Sequence, residues 1–236
     1  MIENGNYIGK ELELFEKAHH WKSYYGNILK PYLKGDVLEI GAGIGGTTIS
    51  LCDGSQNSWL CLEPDRQLAS QIQEKIDQKK IPSFCEVKTI YSNKLPATTS
   101  FDAILYMDVI EHIEHDDQEL MVAYRHLKPG GALIVLVPAH QFLFTPFDKK
   151  IGHFRRYSKK RLQQAVPKEL IKEKLLYLDS VGLSASLANK LLLHSAMPNE
   201  NQIKVWDNYM IPLSKFVDPI FGYTVGKSVL GIWKKP

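Results

Sequence analysis

The sequence predicts an α/β fold whose doubly wound, mostly parallel sheet has about seven strands. Two observations support this prediction. Short apolar segments alternate with segments of helical periodicity, and most strand candidates between residues 36 and 137 are continuously apolar. Such strands are typical of a parallel sheet covered by helices on both faces. With 236 residues, 44% of them hydrophobic, the chain has the size of one domain.

The predicted elements follow one another from residue 7 onward. Leu12, Phe15, Trp21 and Tyr25 recur at roughly helical spacing, which predicts a lid-like helical segment over residues 7–33. Further helices are expected over residues 46–53, 65–79, 116–127 and 158–166, followed by an apolar helical insertion over 182–218. The predicted strands span residues 36–42, 59–63, 84–90, 101–109, 132–137, 170–180 and 223–233.

A glycine-rich turn follows the first predicted strand. In Val37-Leu-Glu-Ile-Gly-Ala-Gly-Ile-Gly45 the apolar run ends in three alternating glycines, and a helix is expected next. Glycines let the backbone approach a ligand closely, because no side chain stands in the way. The N–H groups of such a loop and of the following helix also point towards the ligand. The segment therefore predicts a site for a nucleotide-type cofactor.

Two glutamates distinguish between the candidate cofactors. Gly41, Gly43 and Gly46 satisfy the G-x-G-x-x-G pattern of dinucleotide sites, which alone is a weak signal. Glu39 would lie unfavourably beside the anionic pyrophosphate of NAD, but it would suit a cofactor that presents an ammonium group. Glu63 ends the second strand, where it can accept hydrogen bonds from ribose hydroxyls. This combination favours S-adenosylmethionine.

These segments resemble the successive motifs of class I S-adenosylmethionine-dependent methyltransferases. The matching segments are residues 37–45, 62–65, 101–112 and 127–135, in the order and spacing of that family. The resemblance covers residues 20–140 closely and the last two strands loosely. It implies a Rossmann-like fold, S-adenosylmethionine as the methyl donor and S-adenosylhomocysteine as the product.

The resemblance also implies positions for the cofactor contacts. Glu39 would approach the methionine amine, and Gly41 and Gly43 would pass under the methionine and ribose. Glu63 would hold the ribose hydroxyls, and Pro64 would lie against the adenine edge.

Two further cofactor contacts lie after the third and fourth strands. Asp108 would lie near the methionine moiety and the transferable methyl group. Where many members of the family place an acid against the adenine amino group, this chain has Thr89-Ile-Tyr-Ser92. We therefore expect an apolar or backbone contact to adenine, with Tyr91 as its candidate.

The candidate acceptor residues lie mainly in the loop after the fifth strand. This loop leaves the carboxyl edge of the sheet, where ligands bind in open α/β folds. Between residues 149 and 161 it holds seven Lys or Arg residues, one His and no acid. We expect His153 to orient or deprotonate the nucleophile. The expected substrate-binding residues are Tyr25, His140, Arg155, Arg156 and Tyr157.

Arg155 or Arg156 is expected to hold an anionic group of the acceptor. The alternative interpretation of the basic run is a solvated surface. A divalent metal is a further open question. Asp108, Glu111 and His112, with His140 or His153 as a fourth ligand, would suit one, but a Glu-His pair can also merely brace the following helix.

We expect one methyltransferase domain, made of a helical lid (1–34), a cofactor-binding core (35–140) and a region of substrate loop, insertion and last strands (141–236). The expected reaction is methyl transfer to oxygen or nitrogen of a small molecule. RNA or protein acceptors, a lipid-like acceptor at a membrane surface, and a non-catalytic cofactor-binding protein are the alternatives. A net charge of +3 does not predict a nucleic-acid partner. With no signal peptide or membrane span expected, a cytoplasmic protein is predicted.

Overall fold

A seven-stranded sheet forms the centre of the molecule in the computed structural model, which describes residues 11–188 and 199–236. The strands are β1 (Asp36–Ile40), β2 (Ser58–Leu62), β3 (Cys85–Lys88), β4 (Phe101–Met107), β5 (Leu127–Pro138), β6 (Ile171–Leu178) and β7 (Ser228–Lys234). Their order across the sheet is β3-β2-β1-β4-β5-β7-β6. β1 to β5 pair in parallel, and β7 runs antiparallel to both of its neighbours. The predicted fold class is confirmed.

Helices cover both faces of this sheet. They are α1 (Glu11–Glu16), α2 (His19–Leu29), α3 (Gly46–Leu51), α4 (Arg66–Asp77), α5 (Asp116–His126), α6 (Pro146–Lys150), α7 (Lys159–Ala165), α8 (Ser180–Ala188), α9 (Glu200–Val205) and α10 (Ile211–Ile220). A π-helical turn, Trp206–Met210, joins α9 to α10. None of the helices in the described ranges is long and apolar enough to cross a bilayer.

The structure corrects several predicted boundaries. The helix expected over residues 7–33 is interrupted at Ala18, whose ψ of 73° is not helical, so α1 and α2 are separate. β5 begins at Leu127 rather than at residue 132, because Leu127 already pairs with Phe101 before a register shift. The last strand begins five residues later than expected, because Tyr223 adopts a positive φ of 57° in a turn.

Aromatic packing fixes the N-terminal helices against the insertion. Trp21 of α2 is 7% exposed and its ring lies 5.9 Å from that of Trp206. The carboxylate of Asp207 accepts hydrogen bonds from the backbone N–H of His20 and Trp21, which caps the start of α2. These contacts hold α2 beside the carboxyl edge of the sheet. The division of the chain at residues 34 and 140 stays a prediction.

Candidate active site

A cleft of about 1970 Å³ opens along the carboxyl edge of the sheet. Pockets for single small ligands are about 300–1,000 Å³, so this cleft has room for more than one ligand. Its walls are the glycine loop after β1, the ends of β2 and β4, the segment 143–156, and the helices at both ends of the chain. The cleft therefore lies where an open α/β sheet binds its ligands.

The glycine loop depends on backbone conformations that glycine alone adopts without strain. Gly41, Gly43 and Gly45 have φ angles of 67°, 57° and 79°. A Cβ at Gly41 would lie 2.7 Å from Cγ2 of Val109, closer than packed atoms approach. The N–H of Gly41 donates to the carbonyl of Leu62 at 2.8 Å, which ties the loop to β2. The loop is thus held rigidly below the cleft.

Glu63 joins the glycine loop to the end of β2. Its Oε2 accepts a hydrogen bond from the N–H of Gly43 at 2.7 Å, and its Oε1 accepts one from the N–H of Asp65 at 3.0 Å. The residue is 7% exposed and lines the cleft. Burial raises its pKa to about 7, although both backbone hydrogen bonds act in the opposite direction.

Glu39 lies behind the loop rather than in the cleft wall. Its Oε2 accepts hydrogen bonds from Thr48 Oγ1 at 2.7 Å and from Trp59 Nε1 at 3.0 Å. The residue is 2% exposed and is not among those that line the cleft. Burial raises its pKa to about 7. The side chain expected to meet the methionine amine therefore serves, in this structure, to connect β1 with α3 and β2.

The other expected cofactor residues line the cleft. Pro64 and Tyr91 lie on its wall, and Tyr91 is 53% exposed at the rim. Asp108 follows β4 with a φ of 56° and faces the open space of the cleft. Burial raises the pKa of Asp108 to about 6, and the neighbouring Lys227 and Arg156 act in the opposite direction.

A hydrogen-bonded group of Asp148, His153 and Arg156 forms the opposite wall. Nδ1 of His153 donates to Asp148 Oδ1 at 3.0 Å, and Arg156 donates to the same carboxylate through Nε (2.8 Å) and Nη2 (3.0 Å). The side chains of His153 and Arg156 are 10% and 14% exposed. The donors around Asp148 hold its pKa well below the usual range, against the effect of burial.

The N-terminal candidate, Tyr25, is 3% exposed and also contributes to the cleft wall. Its phenol interacts with Thr47 at the start of α3. Burial raises the pKa of this phenol well above its ordinary value. Tyr25 and Trp21 therefore cover one side of the cleft as part of the rigid helix α2.

Three expected acceptor residues lie elsewhere. The His140 imidazole has Nε2 2.9 Å from the carbonyl oxygen of Gly226 and stacks on Tyr177, outside the cleft lining. Arg155 donates to the carbonyls of Ile113 and Glu114 and approaches Asp116 to 3.2 Å; it does not line the cleft.

Tyr157 is fully buried, and its hydroxyl donates to Asp116 Oδ2 at 2.6 Å. Its backbone forms an isolated parallel β-bridge with Ala139, the residue that follows β5. Arg155 and Tyr157 thus both contact Asp116 and stabilise the loop that carries His153. Neither residue lines the cleft.

Two functional candidates in the cleft, Asp148 and Lys227, were not predicted from the sequence. The Thr145-x-x-Asp148 spacing forms a capping box at α6 and could have identified Asp148 as buried and ordered. No motif marks Lys227, because it comes from the turn before β7 and reaches the cleft only through the sheet order.

Glu111, His112 and His153 could together hold a metal ion. One ligand atom from each lies within 4.8 Å of the others. Glu111 is fully buried, and both of its carboxylate oxygens lack a hydrogen-bond partner. Burial lowers the pKa of His112 to about 3, so its imidazole is neutral and able to act as a ligand. Asp108 and His140, also considered from the sequence, are not part of this cluster.

Comparisons with known proteins identify a similar domain and similar folds. A family model described as a methyltransferase domain matches residues 38–133. Coclaurine N-methyltransferase bound to N-methylheliamine and S-adenosylhomocysteine has a similar structure, with a TM-score of 0.64 and 16% identity over 92% of this chain and 72% of that one. Among proteins of curated function, none matches this chain in sequence.

Two further solved structures illustrate the range of this fold. Phosphoethanolamine N-methyltransferase 2 of Haemonchus contortus, in complex with phosphomonomethylethanolamine and S-adenosylhomocysteine, has a TM-score of 0.63 and 16% identity over 96% of this chain and 58% of that one. The [4+2]-cyclase SpnF has a TM-score of 0.62 and 15% identity over 90% and 80%. At these identities the likeness shows the fold alone.

Proposed function

Because residues 38–133 match a methyltransferase-domain model, we propose that the chain is a class I S-adenosylmethionine-dependent methyltransferase that methylates oxygen or nitrogen of a small molecule bearing an anionic group. The observation that carries this proposal is the Asp148–His153 pair, which lies on the same cleft as the glycine loop and Asp108. The methyl donor is S-adenosylmethionine, and the product is S-adenosylhomocysteine.

The cofactor occupies the side of the cleft formed by β1, β2 and β4. Glu63 accepts hydrogen bonds from the ribose hydroxyls, since its carboxylate is already held in place by two backbone N–H groups. Gly41 and Gly43 allow the backbone to approach the cofactor closely. Asp108 faces the methionine end, where its carboxylate suits an ammonium group. Pro64 and Tyr91 contact the adenine.

The chemical step is an in-line displacement. A lone pair on the acceptor forms a bond to the methyl carbon while the carbon–sulfur bond breaks, and its electrons stay on sulfur. The proton of a hydroxyl acceptor passes to Nε2 of His153, because Nδ1 of that imidazole already donates to Asp148. Asp148 fixes the tautomer and ring orientation. Arg156 supports Asp148 and places its positive charge at the cleft wall.

A small acceptor fits the charge distribution better than a nucleic acid does. Arg155 and Arg156 come from the basic run, but both are bound to internal acids, Asp116 and Asp148. The run therefore supplies fewer free cations than its sequence suggests. Nucleic-acid binding relies on such free cations against phosphates.

A lipid-like acceptor is the second candidate, favoured by the surface of α10 and the turn before it. Tyr209, Phe216 and Ile220 are 73%, 72% and 68% exposed, and their spacing places them on one helical face. Leu191–Leu193, which we also expect in such a patch, lie outside the described residues. Co-sedimentation with phosphatidylcholine–phosphatidylglycerol vesicles separates the two candidates, because a purely water-soluble acceptor requires no vesicle binding.

A direct assay tests the proposed reaction. The purified protein is incubated with S-adenosylmethionine and a panel of phenols and amines, each with or without a carboxylate or phosphate, and S-adenosylhomocysteine release is measured. We expect release with at least one anionic member of the panel and its loss in His153→Ala. Turnover restricted to RNA or protein acceptors would contradict the proposal.

A further inference from the structure

Lys227 presents an ammonium group at the cleft, and no carboxylate of the described residues forms an ion pair with it. The residue precedes β7, and its side chain lines the cleft. Within residues 11–188 and 199–236, its ammonium group has neither an ion-pair partner nor a hydrogen-bond acceptor, and Nζ lies over the Trp206 ring, 5.2 Å from its centroid. A cation enclosed by protein is costly unless a counter-charge joins it. The arrangement therefore calls for an anionic ligand.

The neighbouring acids already have other partners. Asp179 accepts hydrogen bonds from Gly182 N, Trp206 Nε1 and Ser214 Oγ, at 2.8 to 2.9 Å. Asp148 is held by His153 and Arg156, as described above. Asp108 faces the cleft and the methionine end of the cofactor. These three carboxylates raise the pKa of Lys227, and Arg156 lowers it, but burial dominates and lowers the pKa overall.

A rigid support holds Lys227 in this position. The carbonyl oxygen of Asp179 accepts the N–H of Lys227 at 3.0 Å, while Asp179 Oδ2 holds the Trp206 ring on which the ammonium rests. Asp179 itself has a positive φ of 65°. A Cβ at Gly182 would come within 1.9 Å of its Oδ2, so the position depends on glycine. Such a support keeps the ammonium in place before a ligand arrives.

The arginines expected to hold the acceptor are less available. Arg155 lies outside the cleft and donates to two carbonyls, and Arg156 donates to Asp148 through the edge formed by Nε and Nη2. Three other lysines line the cleft: Lys22, which donates to the carbonyl of Glu16, and Lys149 and Lys150, which are exposed to solvent. Lys227 is thus the partly buried lysine of the cleft whose ammonium group has no hydrogen-bond or ion-pair partner in the described part of the chain.

We propose that Lys227 binds the oxyanion of the methyl acceptor, a carboxylate or a phosphate, with the Trp206 ring as its support. This inference rests on the proposed function, since it assigns one group of the same acceptor. The ammonium fixes the anionic end of the acceptor while His153 meets its nucleophilic end. Acceptors that have no oxyanion able to reach Lys227 while their nucleophile lies at His153 are then bound weakly. This makes Lys227 a specificity-determining residue.

The test uses inorganic phosphate and acetate as probes of the site. Each is titrated by NMR chemical-shift perturbation into the full chain saturated with S-adenosylhomocysteine. Lys227→Met should weaken binding of the preferred anion about ten- to one-hundred-fold, the range for a charge-assisted hydrogen bond, and Lys227→Arg should restore most of it. Removing an unpaired, partly buried cation should also leave the melting temperature equal or higher.

Lys234→Met is the matched control. Lys234 lies on the same strand, β7, and its ammonium rests over the ring of Tyr32 at 5.9 Å, so it shares the cation–π contact but not the cleft. Unchanged anion binding in Lys227→Met would overturn the inference. So would a parallel loss of S-adenosylhomocysteine affinity in that variant, because Lys227 would then hold the cofactor carboxylate. Failure of the wild-type protein to bind S-adenosylhomocysteine would instead contradict the proposed function.

Discussion

His153 donates a hydrogen bond from Nδ1 to Oδ1 of Asp148 at 3.0 Å, and Asp148 is buried. The pair thus combines an imidazole that borders the cleft with a carboxylate that fixes its orientation. Such a pairing is what a general base requires, because it leaves the second ring nitrogen ready to accept a proton.

Replacing His153 with Ala should reduce turnover by roughly 10²–10⁴-fold with little effect on S-adenosylhomocysteine affinity. Asp148→Asn should also lower turnover, since it loses the carboxylate that orients the imidazole. Steady-state kinetics and calorimetry measure the two effects. His140→Asn is the control, because His140 lies outside the cleft lining. Equal turnover in His153→Ala and the wild type would exclude the assigned role.

Replacing Glu63 with Ala should weaken S-adenosylhomocysteine binding by about 1.5–3 kcal/mol, because charge-assisted hydrogen bonds to the ribose are lost. Isothermal calorimetry checks this, with the exposed Glu74→Ala on α4 as a control. The wild-type protein should give no heat with NADH. Heat with NADH and none with S-adenosylhomocysteine would overturn the cofactor assignment.

Replacing Glu39 with Gln should change the pH dependence of stability. The pKa of Glu39 rises from 4.5 to about 7 on folding, so the folded protein holds an extra proton in this window. Its contribution to stability is therefore present below pH 4.5 and is lost as the pH rises towards 7, by at most about 3 kcal/mol.

Chemical denaturation between pH 5 and 8 measures this effect as a difference between variant and wild type. Glu39→Gln keeps an acceptor for Thr48 and Trp59, and it should gain stability relative to the wild type as the pH rises. A difference that does not vary with pH would contradict the raised pKa.

Residues 1–20 and 141–157 should exchange amide hydrogens more slowly once cofactor and acceptor are bound, as lids over active sites do. In the described part of the first segment, Glu16 forms an ion pair with Lys75, and its carbonyl accepts a hydrogen bond from Lys22 at 2.7 Å. Lys75→Met should therefore raise exchange in α1 without ligand. Equal protection of both segments with and without ligands would remove the support for a lid.

Zinc should inhibit methyl transfer, because the ligand atoms of Glu111, His112 and His153 lie within 4.8 Å of one another and the metal would occupy the nitrogen needed as a base. Glu111→Gln should reduce this inhibition. Rate measurements with added zinc or with a chelator check it. Loss of activity in chelator, restored by a divalent cation, would instead assign a catalytic role to the metal.

The sequence predicted those features that depend on local pattern. Most of the strands follow from apolar runs, although β3 and β6 carry charged residues. Glu63 was located by its position at the end of the second strand. Lys227 could not be located in this way, because it is 74 residues beyond His153 and reaches the cleft only when β7 inserts between β5 and β6. His140 shows the converse: its position after the fifth strand suggested the site, but a positive φ of 65° directs the chain elsewhere.

The position of β7 between β5 and β6 also affects the order in which the sheet forms during translation. Residues 228–234 separate β5 from β6, although both of those strands are synthesised earlier. While the ribosome is still translating residues before 228, β5 and β6 each lack their antiparallel neighbour, and the edge of β5 is left as an open template for other chains. The side of the cleft that we assign to the acceptor, including Lys227, therefore assembles after the side that we assign to the cofactor. We expect a nascent chain to bind S-adenosylmethionine before it can select an acceptor.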